Sequence, residues 1–225
     1  MRTIAFIPAR GGSKGLINKN LCLLNGIPLI SHTIQAAMRC KVISKTVVSS
    51  DSTEILEFAL RNHAKALRRP KEISQDNSPT DLSIEHGIKE LKLKKGDRIA
   101  LLQATSPLRT TKHLQEALMI FNERQPELVV SVRPQDNKFL KSYFIKGKHL
   151  SPIISKEMAY LPRQALPDIF MPNGAIYIFS VEAFQRELKI PRNNVVPYIM
   201  DEISSLDIDN ADDLKKAENI LTAQP

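Results

Sequence analysis

The sequence predicts a doubly wound, mostly parallel α/β sheet, and three observations predict it. Short β-branched or apolar runs alternate with stretches of helical spacing along most of the chain. A glycine-rich turn, "ARGGSKG", directly follows the first such run, as expected where an open sheet receives a ligand at its carboxyl edge. The chain has 225 residues, 42% of them hydrophobic and 25% charged, enough for one full core.

The elements follow in order. "TIAFIPA" reads as a buried strand. "IPLISHTIQAAMRC" reads as a helix with Pro28 in its first turn and an apolar stripe of Ile30, Ile34, Ala37 and Met38. "KTVVSS" is the next strand. "DSTEILEFALRNH" is the next helix, opened by Asp51 with Glu54 three residues on in the manner of a capping box. Beyond the loop "RRPKEISQDNSPT", Ile84, Ile88 and Leu91 share one helical side. Strand "RIALLQA", helix "TKHLQEALMIFNE" and strand "ELVVSV" follow. Strands alternating with helices of this length imply parallel pairing through right-handed crossovers, with helices on both faces. The sheet resumes at "NGAIYIFS", and "SLDIDNADDLKKAENIL" closes the chain as a short strand running into a helix capped by Asn210.

Between residues 133 and 171 the alternation breaks. "YFIKGKHLSPI" resembles a hairpin turning at Lys146 and Gly147, in a stretch mixing aromatics, prolines and lysines. A structureless loop this long would be unusual in a compact domain, so the segment is expected to pack against something, a partner subunit being preferred. The chain therefore divides into a catalytic unit of 1–132 and 172–225 and an insert of 133–171.

Composition narrows the partners. The formal net charge of +8 suits an acidic partner, whether nucleotide phosphate, nucleic acid or membrane surface, without choosing among them. The cations cluster in one loop rather than along a face, and neither a recognition-helix motif nor an aromatic platform is found, so no nucleic-acid partner is expected. No apolar run approaches the ~20 residues of a membrane span, and the first one is too short for a signal peptide. A cytoplasmic protein with no membrane partner is the expectation. Cys22 and Cys40 fall in no CxxC or Cys/His cluster, which excludes a disulfide framework or structural zinc and leaves them as buried thiols.

Three constellations carry chemistry. In "ARGGSKG" the glycines let backbone N–H groups approach an anion, and Arg10, Lys14 and Lys19 could each meet a different oxygen of a triphosphate. It is neither a Walker A loop nor a dinucleotide fingerprint, and a turn with solvated lysines is the alternative. In "DIDNADD", Asp207 and Asp209 lie two apart and point to one side, a pattern suited to Mg²⁺, while Asp212 and Asp213 suit a helix dipole. In "LLQATSPLR", Gln103, Thr105 and Ser106 could sort a polyhydroxylated ligand, with helix capping by Thr105 or Ser106 the competitor.

Taken in order, "IPARGGSKG" with Lys19 and Asn20, "VVSSDS", "RRP", "LLQATSPLR", "PNGAIYI" and "SLDIDNADDL" resemble the acylneuraminate cytidylyltransferases over nearly the whole chain. The resemblance implies a mononucleotide-binding fold of the nucleotide-diphospho-sugar transferase type. It also implies a homodimer joined through the inserted segment and transfer of CMP from CTP to a nonulosonic, sialic-type acid. By matching, Arg10, Ser13, Lys14 and Lys19 would hold the triphosphate, and Asn20, Arg69 and Thr80 would face cytidine. Gln103 and Tyr177 would line the sugar-acid pocket, with Lys141 and Arg163 delivered by the insert. Asp207 and Asp209 would hold Mg²⁺, with Mn²⁺ as the alternative, and Arg10, Lys14, Lys19 and Asp209 would carry the catalysis.

Two positions depart from the family pattern. Ile17 stands where relatives usually carry proline, and Met171 where relatives acting on N-acetylneuraminate can carry a cation. The alternatives are another 2-keto-3-deoxy acid, such as legionaminate, pseudaminate or 3-deoxy-octulosonate, and a non-catalytic nucleotide- or nucleic-acid-binding module.

Overall fold

The computed structural model describes residues 1–12 and 16–223. Ser13 and Lys14, both predicted at the site, lie outside these residues.

The chain runs through β1 (Thr3–Pro8), a small ladder of β2 (Leu23–Leu24) and β3 (Ile27–Pro28), α1 (Leu29–Met38), β4 (Lys45–Ser50), α2 (Thr53–Arg61) and β5 (Lys65–Arg68). Next come α3 (Thr80–Glu90), β6 (Arg98–Leu101), α4 (Thr111–Arg124) and β7 (Leu128–Gln135). The hairpin β8 (Tyr143–Lys146) and β9 (His149–Pro152) and α5 (Lys156–Tyr160) precede β10 (Ile169–Ser180), α6 (Val181–Glu187), β11 (Val195–Ile199) and α7 (Ala211–Thr222). Seven strands form one sheet in the order β11-β7-β10-β6-β1-β4-β5. β1 pairs in parallel with β4 and β6, β4 with β5, and β7 with β11, while β10 runs antiparallel between β6 and β7.

The doubly wound expectation holds because the central strands are apolar on both faces. Ala5 and Ile7 of β1 face a core shared with Ile34 of α1, Ala59 of α2 and Leu118 of α4. Ile4 and Phe6 face the opposite core, shared with Ile84 and Ile88 of α3 and Phe184 of α6. A third cluster, Leu24, Leu29, Ile208 and Ala217, seats α7 against β2 and α1.

Several local expectations change. The α2 cap is Ser52, whose Oγ accepts the Ile55 N–H at 3.4 Å, because Asp51 is engaged elsewhere, accepting the Gly11 N–H at 3.0 Å. Met38 leaves the predicted stripe and is 47% exposed. The hairpin turns at Gly147 and Lys148, since Lys146 pairs with His149 and Gly147 takes the positive φ of 63°. "SLDIDN" contributes no strand. It crosses the sheet edge beside the loop after β6, where Ile208 N–H reaches the Thr105 carbonyl at 2.8 Å. Asn210 caps α7 as expected, accepting the Asp213 N–H at 3.0 Å. Cys40 is buried and Cys22 half-buried, both as free thiols. No helix of the described residues is long and apolar enough to cross a membrane.

One buried carboxylate ties the start of the chain to the sheet. Asp97, in the turn before β6, accepts the Arg2 backbone N–H at 2.8 Å, Arg2 Nη2 at 2.5 Å and the Lys94 N–H at 3.0 Å. These bonds, the Arg2 side chain first, hold its carboxyl well below the usual carboxylate range. A depressed folded value means the stabilisation is complete above the unfolded pKa of about 4 and is lost as pH falls toward the folded one. Denaturant titrations between pH 6 and pH 2 should therefore show an acid-side loss of stability that Asp97→Asn largely removes, with the variant less stable than wild type at neutral pH.

Candidate active site

The site grows from the carboxyl ends of β1, β4 and β6. After β1 the chain turns sharply, with Ala9 N–H on the Ser49 carbonyl at 2.9 Å and Gly11 N–H on Asp51. A Cβ on Gly11 would fall 2.9 Å from Ser52 Cβ, so this turn packs on the start of α2 only because the residue is glycine. Asn20, buried in the short 3₁₀ turn Lys19–Leu21, donates from Nδ2 to the Arg10 carbonyl at 2.9 Å and fixes the backbone beneath the Arg10 side chain. Ile17 is 84% exposed and packs no core, so replacing the expected proline affects only the exposed approach to that turn.

A cavity of about 620 Å³ opens over this edge. Arg10, Lys19, Asn20, Arg69 and Thr80 line one part of it, and Gln103, Thr105, Asp207 and Asp209 line another. Segments far apart in sequence thus converge as expected. Arg69 is buried, its Nε on Ser74 Oγ at 3.0 Å and Nη1 on Ser83 Oγ at 2.5 Å. Burial pushes its guanidinium down, and Asp51 acts against that. The other cations are already paired: Arg10 with Asp76, and Lys19 Nζ with Asp209 Oδ1 at 3.0 Å.

A second cavity, of about 500 Å³, shares Gln103 and Asp207 with the first and extends to Tyr177, Gly174 and Met171. Its wall is a bulge in β10. Pro172 pairs with Val132 and Tyr177 with Val130, so five steps along β10 match two along β7. Asn173 anchors the bulge from within, its Oδ1 accepting from Ser131 Oγ at 2.5 Å and Ala175 N–H at 3.1 Å while Nδ2 donates to Ser205 Oγ at 2.8 Å. Gly174 follows at φ 76°, against the Gln103 side chain. Arg133 and Glu202 also border this cavity and were missed in the sequence, because only the β7–β10 pairing and the loop after β11 bring them there.

Asp207 sits where the cavities meet. Burial raises its carboxyl above the ordinary range, with a hydrogen bond from Thr105 working in the opposite sense. Its Oδ1 is buried without a hydrogen-bond partner among the described residues. An orphaned, desolvated carboxylate oxygen close to a second carboxylate suits a hard divalent cation that completes its shell with water and substrate phosphate. No group of three or more metal-binding side chains occurs among the described residues, so such an ion would depend on the substrate for ligands.

The remaining predicted residues lie elsewhere. Ser106 is fully buried and lines neither cavity. Neither it nor Thr105 caps the following helix, since Thr110 does so with His113. Lys141 and Arg163 lie on the insert outside both cavities of their own chain, Arg163 Nη2 standing 3.8 Å from Asp136 Oδ1.

Comparison with known proteins agrees with this geometry. Residues 4–221 match the family model described as "Cytidylyltransferase". The chain belongs to the cytidylyltransferase family. It is 32% identical over 216 residues to an N-acylneuraminate cytidylyltransferase of Streptococcus agalactiae serotype V, covering 95% of this chain and 52% of that one. It therefore spans about half the length of that relative. A CMP-N,N'-diacetyllegionaminic acid synthase of Legionella pneumophila is 31% identical over 230 residues, covering 98% of this chain and 97% of that protein. In fold, the chain is similar to a CMP:2-keto-3-deoxy-manno-octonic acid synthetase solved with CTP, with a TM-score of 0.75 at 15% identity and full coverage of both chains.

The glycine in the β10 bulge is a sharp test of the wall of the second cavity. Gly174→Ala adds a Cβ at positive φ against Gln103 and should cost roughly 1–3 kcal/mol in urea denaturation. Glycine replaced at Gly12, with nothing near its Cβ position, serves as the control.

Proposed function

We propose that this chain transfers CMP from CTP to the anomeric hydroxyl of a nonulosonic acid, N-acylneuraminate being the principal reading. The observation that carries it is the pair of cavities meeting at Gln103 and Asp207. One is walled by cations and suits a nucleotide triphosphate, and the other, rich in polar groups, suits a sugar acid. The acceptor oxygen forms a bond to the α-phosphorus, the α–β bridging P–O bond breaks, pyrophosphate leaves, and the hydroxyl proton passes to solvent or a nearby carboxylate.

The protein's part is positioning and charge stabilisation. Arg10 and Lys19 exchange their carboxylate partners for phosphate oxygens, while Arg69, already desolvated and held by Ser74 and Ser83, lies ready to donate to the nucleotide. Gln103 and Tyr177 orient the acceptor. Burial raises the Tyr177 phenol, which stays protonated at neutral pH and so serves as a donor. Asp207 and Asp209 would hold Mg²⁺, or Mn²⁺, which when bound would neutralise charge developing on the phosphates.

The insert supports a homodimer. Phe144, Ile145, Leu150, Ile154 and Tyr160 are all exposed on residues 136–168, an apolar concentration that a second copy would cover. Two free thiols support a reducing, cytoplasmic setting.

A second reading, an N,N'-diacetyllegionaminate-type acceptor, is favoured by Met171. It puts a thioether rather than a cation on the acceptor wall, and the Legionella relative matches along nearly its whole length.

Product mass from CTP, Mg²⁺ and a panel of nonulosonic acids tests both readings. A CMP-sugar from N-acetylneuraminate supports the first, and one from only the diacetylated 9-deoxy acid supports the second. No CMP-sugar from any acid, with CTP still bound, overturns the proposal. Asp207→Asn should lower kcat by about 10²-fold or more with stability retained, as expected when charge stabilisation at a developing anion is lost. Sedimentation should give a dimer for wild type and a monomer when Ile145 and Leu150 are both replaced by Glu.

A further inference from the structure

Arg109 closes the "LLQATSPLR" motif, yet it lines neither cavity and has no part in the chemistry above. It heads the largest fully buried side chains among the described residues. Taking a guanidinium out of water is unfavourable unless an anion or a full set of acceptors meets it. No ion pair among the described residues includes Arg109. Instead Nη1 donates to the Ala175 carbonyl at 2.7 Å and the Gln103 carbonyl at 3.3 Å, and Nη2 donates to Thr33 Oγ1 at 2.7 Å. Its Nε has no acceptor. Thr33 in turn reaches the Gln103 carbonyl at 3.4 Å.

The acceptors come from α1, the loop after β6 and the β10 bulge. One of them, Gln103, lines the second cavity, and another, Ala175, directly follows Gly174, which also lines it and leaves no room for a Cβ against the Gln103 side chain. A residue that only filled this volume would be better as an apolar side chain, because replacing a buried charge by well-packed hydrophobic groups is commonly neutral or stabilising. A planar fork has a use that an apolar chain lacks, since it spans carbonyls on separate elements and holds their spacing.

We propose that Arg109 is a positioning residue for the acceptor sugar acid. Held from beneath by the carbonyls of Gln103 and Ala175, Gln103 and Gly174 keep the separation that sets the width of the second cavity where it meets the nucleotide. This rests on assigning the second cavity to the acceptor, as proposed above.

The test compares wild type with Arg109→Met, Arg109→Lys and Thr33→Val, using CTP with N-acetylneuraminate and with N,N'-diacetyllegionaminate, alongside denaturation curves. Arg109→Met should raise the acceptor KM about tenfold or more while moving the CTP KM by no more than about twofold, the split expected when one substrate is misplaced by a fraction of an ångström. Arg109→Lys should recover part of that loss, and Thr33→Val should show the same split more weakly. Unchanged acceptor kinetics in folded Arg109→Met, or equal losses toward CTP and acceptor, overturns the proposal. Should Arg109→Met fail to fold, an absent split in both Arg109→Lys and Thr33→Val overturns it equally. Wild type that binds CTP but uses no acid of the panel overturns the functional reading itself, and this assignment with it.

Discussion

β1 lies in parallel between β4 and β6, with Phe6 opposite both Val47 and Leu101, and the site takes its geometry from that register. Parallel neighbours end at the same edge, so the turn after β1, Asp51 after β4 and Gln103 after β6 arrive together although more than 90 residues separate the first from the last. The register is enforced from both faces. A slip of one residue would carry Ile4 and Phe6 out of one core and Ala5 and Ile7 out of the other. Core packing thus does the aligning, and the loops carry the chemistry.

Over that edge the charges are balanced before any ligand arrives. Arg10 and Lys19 rest on Asp76 and Asp209, while the Arg69 guanidinium donates to the Ser74 and Ser83 hydroxyls. A polyanion entering the cavity replaces carboxylates rather than water on the first two cations. Its affinity is therefore the difference between two paired states, smaller than the cation count suggests.

Much of this architecture was legible in the sequence, for identifiable reasons. Strands buried on both faces give continuous apolar runs, and amphipathic helices give a 3.6-residue stripe, so β1, β4, β6, α3 and α4 stood out. The edge strands β5 and β11 did not. "KALR" alternates too briefly, and "VVPYI" carries a proline that an edge strand tolerates but a pattern search rejects. The glycine turn, Gln103 and the two aspartates were found from local chemistry, and Arg69 from the family resemblance. What local chemistry could not supply was competition between sites: Asp51 looks like a helix cap until a distant Gly11 N–H claims it. Arg133 and Glu202 are likewise ordinary surface charges in sequence, and only strand pairing and a loop crossing bring them to the second cavity.

The β7–β10 pair serves two tasks along one length of backbone. Near its middle it walls the second cavity through the anchored bulge, and farther on it leaves the sheet to carry the hairpin and α5. The two tasks tolerate change very differently. Residues can be gained or lost at the hairpin tip without altering which way any cavity side chain faces. One residue added between Asn173 and Tyr177 would turn Tyr177 to the opposite side of the sheet and remove it from the second cavity. The hairpin is therefore free to change in length, whereas the wall of the second cavity can change only by substitution, one side chain at a time.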